Sequence, residues 1–256
     1  MKGFTAFFSK EVRELIRTKR LMILAAVFIV VGIMNPAIAK LTPKIIEMEA
    51  ETFDSMGMTV GEVKVTAMDC WTQFIKNIPM ALIVLLIMMS GAYTSEYAKG
   101  TLIPLLTKGL SRSAVVLSKF FVMLTVWSAG LWLCFGITYF YSGYYWDNSA
   151  VKELPFAAFG WWLFGVLMIS CIVFFSSFAG SAGQVMLGTG AAYFAMTMIG
   201  MYKKAAEYLP SRLCDCASLY KGELEPSDYF KAAVITAAVS LVLVAAALPL
   251  TNRRQL

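Results

Sequence analysis

The chain contains no histidine. That removes Ser-His and Cys-His nucleophilic catalysis, His-ligated metals and HExxH proteolysis together. There is no Gly-x-x-x-x-Gly-Lys-[Ser/Thr] stretch either, and the glycine-rich run from Gly183 to Gly190 has no lysine and is too apolar for phosphates. If ATP drives this protein, another polypeptide binds it. Charge is scarce: 15% of residues are charged and 59% hydrophobic, against roughly 25% charged in a soluble domain. The apolar runs carry no ionisable residue, so an intramembrane enzyme lacks its equipment. An ion-driven carrier or channel, the rival reading, normally shows intramembrane charges or paired broken helices, and only Asn35-Pro36 hints at one. The net charge of +6 does not point to nucleic acid, because the basic excess lies beside apolar runs, where it orients spans and meets anionic headgroups. No catalytic, cofactor-binding or metal-ligating set is expected. Of five cysteines, Cys134 and Cys171 fall in apolar runs as small fillers. Cys70, Cys214 and Cys216 lie outside them, as free thiols or as one bridge from Cys70 to one of the pair.

What is present is a set of runs long enough to cross a bilayer, each of ~20 residues. They fall at about 21–39, 78–95, 120–141, 156–178, 184–202 and 232–250, which makes an all-α integral membrane protein with six transmembrane helices. Residues 156–202 hold 47 residues without a charge; one helix of that length would be ~70 Å, so the run must fold back. Ala179-Gly180-Ser181-Ala182-Gly183 supplies the turn. Small residues at Gly188, Ala192 and Gly200 suit close helix packing in the fifth run. Asn35-Pro36 predicts a bend or early end to the first run, and Pro79 a first-turn entry to the second. Ala37-Ile38-Ala39 resembles a signal-peptidase site, but the preceding residues are long and amphipathic for a leader, so the first run reads as a retained span.

Before it, residues 1–20 set Phe4, Phe7, Phe8, Val12, Leu15 and Ile16 at helical spacing opposite Lys2, Lys10, Arg13 and Arg17. This is an interfacial amphipathic helix. The polar segment 40–77 predicts two short helices, with Ile45, Met48, Thr52, Phe53 and Met56 on a weak amphipathic stripe, breaks at Gly57 and Gly61, and a pair, Thr59 and Glu62, that resembles a capping box. Segment 203–230 breaks at Leu209-Pro210 and Glu225-Pro226. Tyr139, Tyr141, Tyr144, Tyr145 and Trp146 mark a membrane–water boundary.

The most informative stretch runs from Glu96 to Lys119, a connector of net charge +3 between the second and third runs. A basic connector belongs on the cytoplasmic side. Gly100 gives a break, Thr101 a helix-capping hydroxyl, and Leu102, Ile103, Leu105 and Leu106 an apolar face over about one turn and a half. Pro104 is tolerable only in a first helical turn. Gly109 ends that helix and Ser111 caps the next. With both termini inside, the cytoplasmic pieces carry net +9 and the outer pieces net −3, which supports that orientation.

Glu at the inner end of a span, then Gly-Thr, a Leu pair, Ser-Arg and a Lys before the next span resembles the permease subunits of ABC-2 type transporters. The matching positions are Glu96, Gly100, Thr101, Leu105, Leu106, Ser111, Arg112 and Lys119. The chain has Gly109-Leu110 where the family often has a Pro, and it carries Pro104 inside the helix. The resemblance implies that the connector, with Leu102 added to that set, is a coupling helix that docks on a separate ATP-binding subunit. It implies an N-terminal elbow helix over residues 1–20, a six-span permease domain over 21–256, and a second permease copy or paralogue. It further implies a plasma-membrane exporter, whose uncharged Met- and Phe-rich spans suit an apolar or amphipathic cargo such as a peptide, lipid or drug. Within the connector, Leu102 to Leu106 are expected to enter a groove on the partner. Arg112 and Lys119 are expected to pair with partner charges or lipid phosphates, whereas Glu96 is expected to pair within the permease.

Overall fold

The computed structural model describes residues 2–48 and 64–253. Thr52, Phe53, Met56, Gly57, Thr59, Gly61, Glu62 and Arg254 lie outside them. Ten α-helices and three 3-10 turns make up the described chain. They are α1 (Lys2–Arg17), α2 (Arg20–Met48), α3 (Ala67–Ala98), α4 (Ile103–Thr107), α5 (Arg112–Tyr145), α6 (Leu154–Ser176), α7 (Ala182–Gly200), α8 (Lys203–Ala206), α9 (Ala217–Lys221) and α10 (Phe230–Arg253). The 3-10 turns are Asn148–Ala150, Pro210–Cys214 and Pro226–Tyr229. By length and composition α2, α3, α5, α6 and the stretch Pro226–Arg253 are the five long and apolar enough to cross a membrane. The remaining expected span, α7, is a 19-residue helix outside that set.

Two prolines do not act as the sequence suggests. Helix α2 runs straight through Asn35-Pro36 to Met48. A proline inside a helix orphans the carbonyl four residues earlier, here Gly32. A neighbouring helix repairs the loss: the Thr138 hydroxyl of α5 lies 3.2 Å from the Gly32 carbonyl and shares its proton with the Cys134 carbonyl at 3.0 Å. Asn35, fully buried, donates to Thr138 Oγ1 at 3.0 Å and accepts from Asn77 of α3 at 2.9 Å. Three helices are therefore pinned at the proline. Pro79 likewise sits well inside α3, because that helix starts at Ala67 rather than at the edge of the uncharged run. Thr66 and Asp69 form its capping box, so the described part of segment 40–77 extends α2 and α3 instead of forming separate short helices.

Elsewhere the turn chemistry matches. The chain folds back after Ser176: Ser181 caps α7 by accepting from the Gln184 amide, and the Gly180 amide donates to Gln184 Oε1 at 2.7 Å. Helix α6 is apolar all round and buried along most of its length, as a central helix must be. It contacts α3, α5, α7 and α10, while α2 packs on α3 and α5. Close approach depends on glycine at specific points. A Cβ at Gly165 of α6 would sit 2.2 Å from the Trp127 indole, whose Nε1 donates to the Trp162 carbonyl at 3.0 Å. One at Gly188 of α7 would sit 2.6 Å from the Phe175 ring. Cys134 and Cys171 are buried fillers, and all five cysteines are free thiols.

Candidate functional site

The connector folds as a tight bridge between α3 and α5. Gly100 takes φ +65° and Gly109 φ +89°, the left-handed conformations that release the chain from α3 and stop α4. Thr101 is not the cap of α4. Its hydroxyl turns back to the Glu96 carbonyl at 3.3 Å, and Leu102 takes the cap position. Pro104 falls in the first turn of α4, where its missing amide has no partner to lose. Ser111 caps α5 by accepting from the Ala114 amide at 3.2 Å.

The apolar face of α4 divides. Leu102 is 1% exposed and belongs to the protein's own core, so it is unavailable to a partner. Helical periodicity marks an apolar side without saying whose core it enters. Leu105 and Leu106 are half-buried against that core, while Ile103, 44% exposed, and Pro104 face outward. The presented surface is thus Ile103 and Pro104 with the outer edges of Leu105 and Leu106.

The charges that flank the connector turn inward. Lys119, 3% exposed, places its ammonium 2.8 Å from Glu96, 2.9 Å from Glu11 of α1 and 2.9 Å from the Ala92 carbonyl. It cannot reach lipid phosphates or a partner, because a lysine this deep is held by its counter-ions. Glu96 also pairs with Lys10, which in turn lies 3.0 Å from Glu11 and 2.8 Å from Glu14. Burial pulls the Lys10 pKa down, but the Glu14 and Glu96 carboxylates outweigh it and raise the value overall. The Lys10 ammonium holds Glu14 below the usual carboxylate range. Oxygens of Glu11, Glu14 and Glu96 lie within 4.8 Å of one another. Two ammonium groups already occupy the space between them, so the arrangement is an ion-pair network rather than a metal cradle. Arg112 does not stand free either. Its Nη1 donates to the Thr251 and Asn252 carbonyls, each at 3.1 Å, capping the end of α10.

Of the nine residues the sequence selects, Glu96, Leu102, Arg112 and Lys119 therefore bind the protein's own helices. Gly100, Thr101 and Ser111 shape the bridge, and only Leu105 and Leu106 share the presented edge. Nothing in the sequence assigns a site role to Lys10, Glu11 or Glu14, whereas Ile103 and Pro104 lie inside the turn expected to meet a partner. Glu11 is buried on a helix where Lys10, Arg13, Glu14 and Arg17 are exposed or half-exposed, a hint that an amphipathic plot blurs.

A family model described as ABC-2 family transporter protein matches residues 5–212. No curated protein and no solved structure matches the chain.

Proposed function

The chain belongs to the ABC-2 transporter family, as a multi-pass permease subunit; from that premise we propose that it exports an apolar or amphipathic molecule, driven by ATP on a separate subunit docked at α4. The observation that carries this reading is the pairing of an outward-facing apolar turn, Ile103 and Pro104, with rigid attachments at both ends of the connector. Glu96 lies in the last turn of α3 and Lys119 among the first buried residues of α5, and the two are ion-paired to each other and to α1. A push on α4 would thus reach two spans and the elbow helix α1 as one body. An exposed apolar turn has a reason to enter a partner's groove.

In this reading α7 is the fifth of six spans, the termini and α4 are cytoplasmic, and the membrane is the plasma membrane. A second copy or paralogue completes the pathway, with α2 and α7 near the subunit interface. Helix α7 supports this: it buries Val185 and Thr189 but leaves Leu187, Phe194 and Met198 outward. Membrane lipid covers the remaining apolar faces.

The test is co-expression of the tagged chain with candidate ATP-binding subunits, followed by ATP hydrolysis and uptake assays in inverted vesicles. A copurifying subunit whose hydrolysis drives uptake supports the reading. Uptake driven equally well without any ATP-binding subunit overturns it.

A further inference from the structure

At the end of α5 opposite the connector, a cleft of about 850 Å³ opens beside the loop to α6. Tyr139, Tyr144, Tyr145 and Trp146 supply aromatic walls and Asp147 and Glu153 supply carboxylates, and the lining holds no basic residue, although Lys40 of α2 reaches the Tyr145 ring. Lys152, between them in sequence, lies against Gly222 instead. The Tyr144 and Tyr145 rings are 5.0 Å apart at 80°, forming two adjacent walls of a corner, and Trp146 continues it 5.6 Å from Tyr145. One ring already binds a cation: the Lys40 ammonium sits 3.7 Å over the face of Tyr145.

Glu153 takes φ +54°, an uncommon conformation for a side-chain-bearing residue that must be held by its surroundings. It stands at the cap of α6 yet makes no capping hydrogen bond, and among the described residues its carboxylate has no ion pair. Asp147 stays ionised, since hydrogen bonds from the Ser149 hydroxyl and amide hold its pKa below the ordinary value. Neutral polar recognition has less to work with. The nearby amide of Asn148 is engaged at both ends, donating to the Tyr139 carbonyl at 3.0 Å and accepting from Trp71 at 3.1 Å.

We propose that this cleft is a binding site for an organic ammonium group, held over the Tyr144, Tyr145 and Trp146 faces with Glu153 and Asp147 as counter-charges. Aromatic faces attract such cations through the ring quadrupole, and weakly hydrated ammonium ions lose little water on entering. The level of the site, at an aromatic boundary of the spans, suits an amphipathic ligand with its tail in the bilayer. The ammonium is either that of a soluble amine or that of a lipid headgroup.

The purified chain in phosphatidylglycerol discs, without any ATP-binding subunit, is titrated calorimetrically with choline and with its uncharged carbon isostere, dimethylbutanol. Failure here is separate from failure of the export reading, because no transport is measured. Choline is expected to bind at least about fivefold more tightly than the isostere, the equivalent of roughly 1 kcal/mol. Tyr144→Leu and Glu153→Gln should each weaken choline by about the same factor. Tyr144 is 81% exposed, so its loss leaves the core intact, and an unchanged melting temperature verifies this. Lys40→Gln should tighten binding by removing the resident cation. Adding phosphatidylcholine to the discs separates the sources: competition identifies the lipid headgroup and no competition the soluble amine, both supporting ammonium recognition. Equal affinity for the isostere, or wild-type affinity in both weakening variants, overturns the proposal.

Discussion

The Lys119 ammonium lies 2.8 Å from the Glu96 carboxylate, joining the two ends of the connector beneath its exposed turn. Because Glu11 of α1 takes the other side of the same ammonium at 2.9 Å, α1 is fastened to α3 and α5 at one point. A single lysine thus joins α1, α3 and α5 beside the connector.

Replacing that lysine should be costly. Lys119→Met leaves Glu11 and Glu96 with the half-exposed Lys10 as their remaining counter-ion, and removal of one partner from a buried ion pair costs about 3–5 kcal/mol. Thermal unfolding in detergent should show a large drop in midpoint. The triple variant Lys119→Met, Glu11→Gln and Glu96→Gln should recover most of it, since no unpaired charge is then left inside. Equal midpoints for the single and triple variants would show that the lysine acts through packing alone.

The proline repair in α2 gives a second test. Thr138→Val removes the hydroxyl beside the Gly32 carbonyl and the acceptor for Asn35, costing about 1–3 kcal/mol for buried groups left unpaired. Pro36→Ala restores an amide that can bond Gly32 within α2. The Thr138→Val penalty, read by denaturant titration in micelles, should be smaller in the Pro36→Ala background. An identical penalty in both would contradict the repair.

These two sites show where the sequence could be read and where it could not. Gly109 and Ser111 act locally, through a left-handed φ and a capping hydroxyl, and both do what their residue types require. Leu102, Lys119 and Pro36 depend on partners far away in the chain. Lys119 and Glu11 are 108 positions apart and Thr138 and Gly32 are 106, so no local rule links them. A charge defaults to the surface and a proline to a break until a tertiary partner reverses the default. The order of the apolar runs and the fold-back near Gly180 were legible because they rest on length and turn chemistry.

Acidification should loosen α1. Glu14 has its folded pKa lowered from 4.5 by Lys10, so its contribution is fully present above 4.5 and is lost as the pH falls through the lower folded value. Lys10 has its pKa raised above 10.5, so its contribution is present below that value and is lost only in strong alkali. Between these limits the distance from a spin label at Ser9 to one on α5 should stay narrow. Below pH 4.5 the distribution should broaden, and Glu14→Gln should already show a small part of that broadening at neutral pH. A distance that never changes down to strong acid would contradict the role given to Glu14.

The docking of α4 is tested most directly by the amount of ATP-binding subunit retained on tagged permease carrying Ile103→Asp or Leu105→Asp. Full burial of such apolar side chains is worth about 1.5–3 kcal/mol each before the costs of association. A carboxylate there forfeits that and adds a desolvation penalty. Both variants should insert and fold normally yet lose the subunit and with it ATP-driven uptake. Arg112→Ala, which uncaps α10, should weaken transport only modestly. Copurification of the ATP-binding subunit at wild-type yield with Ile103→Asp and Leu105→Asp would contradict docking at α4.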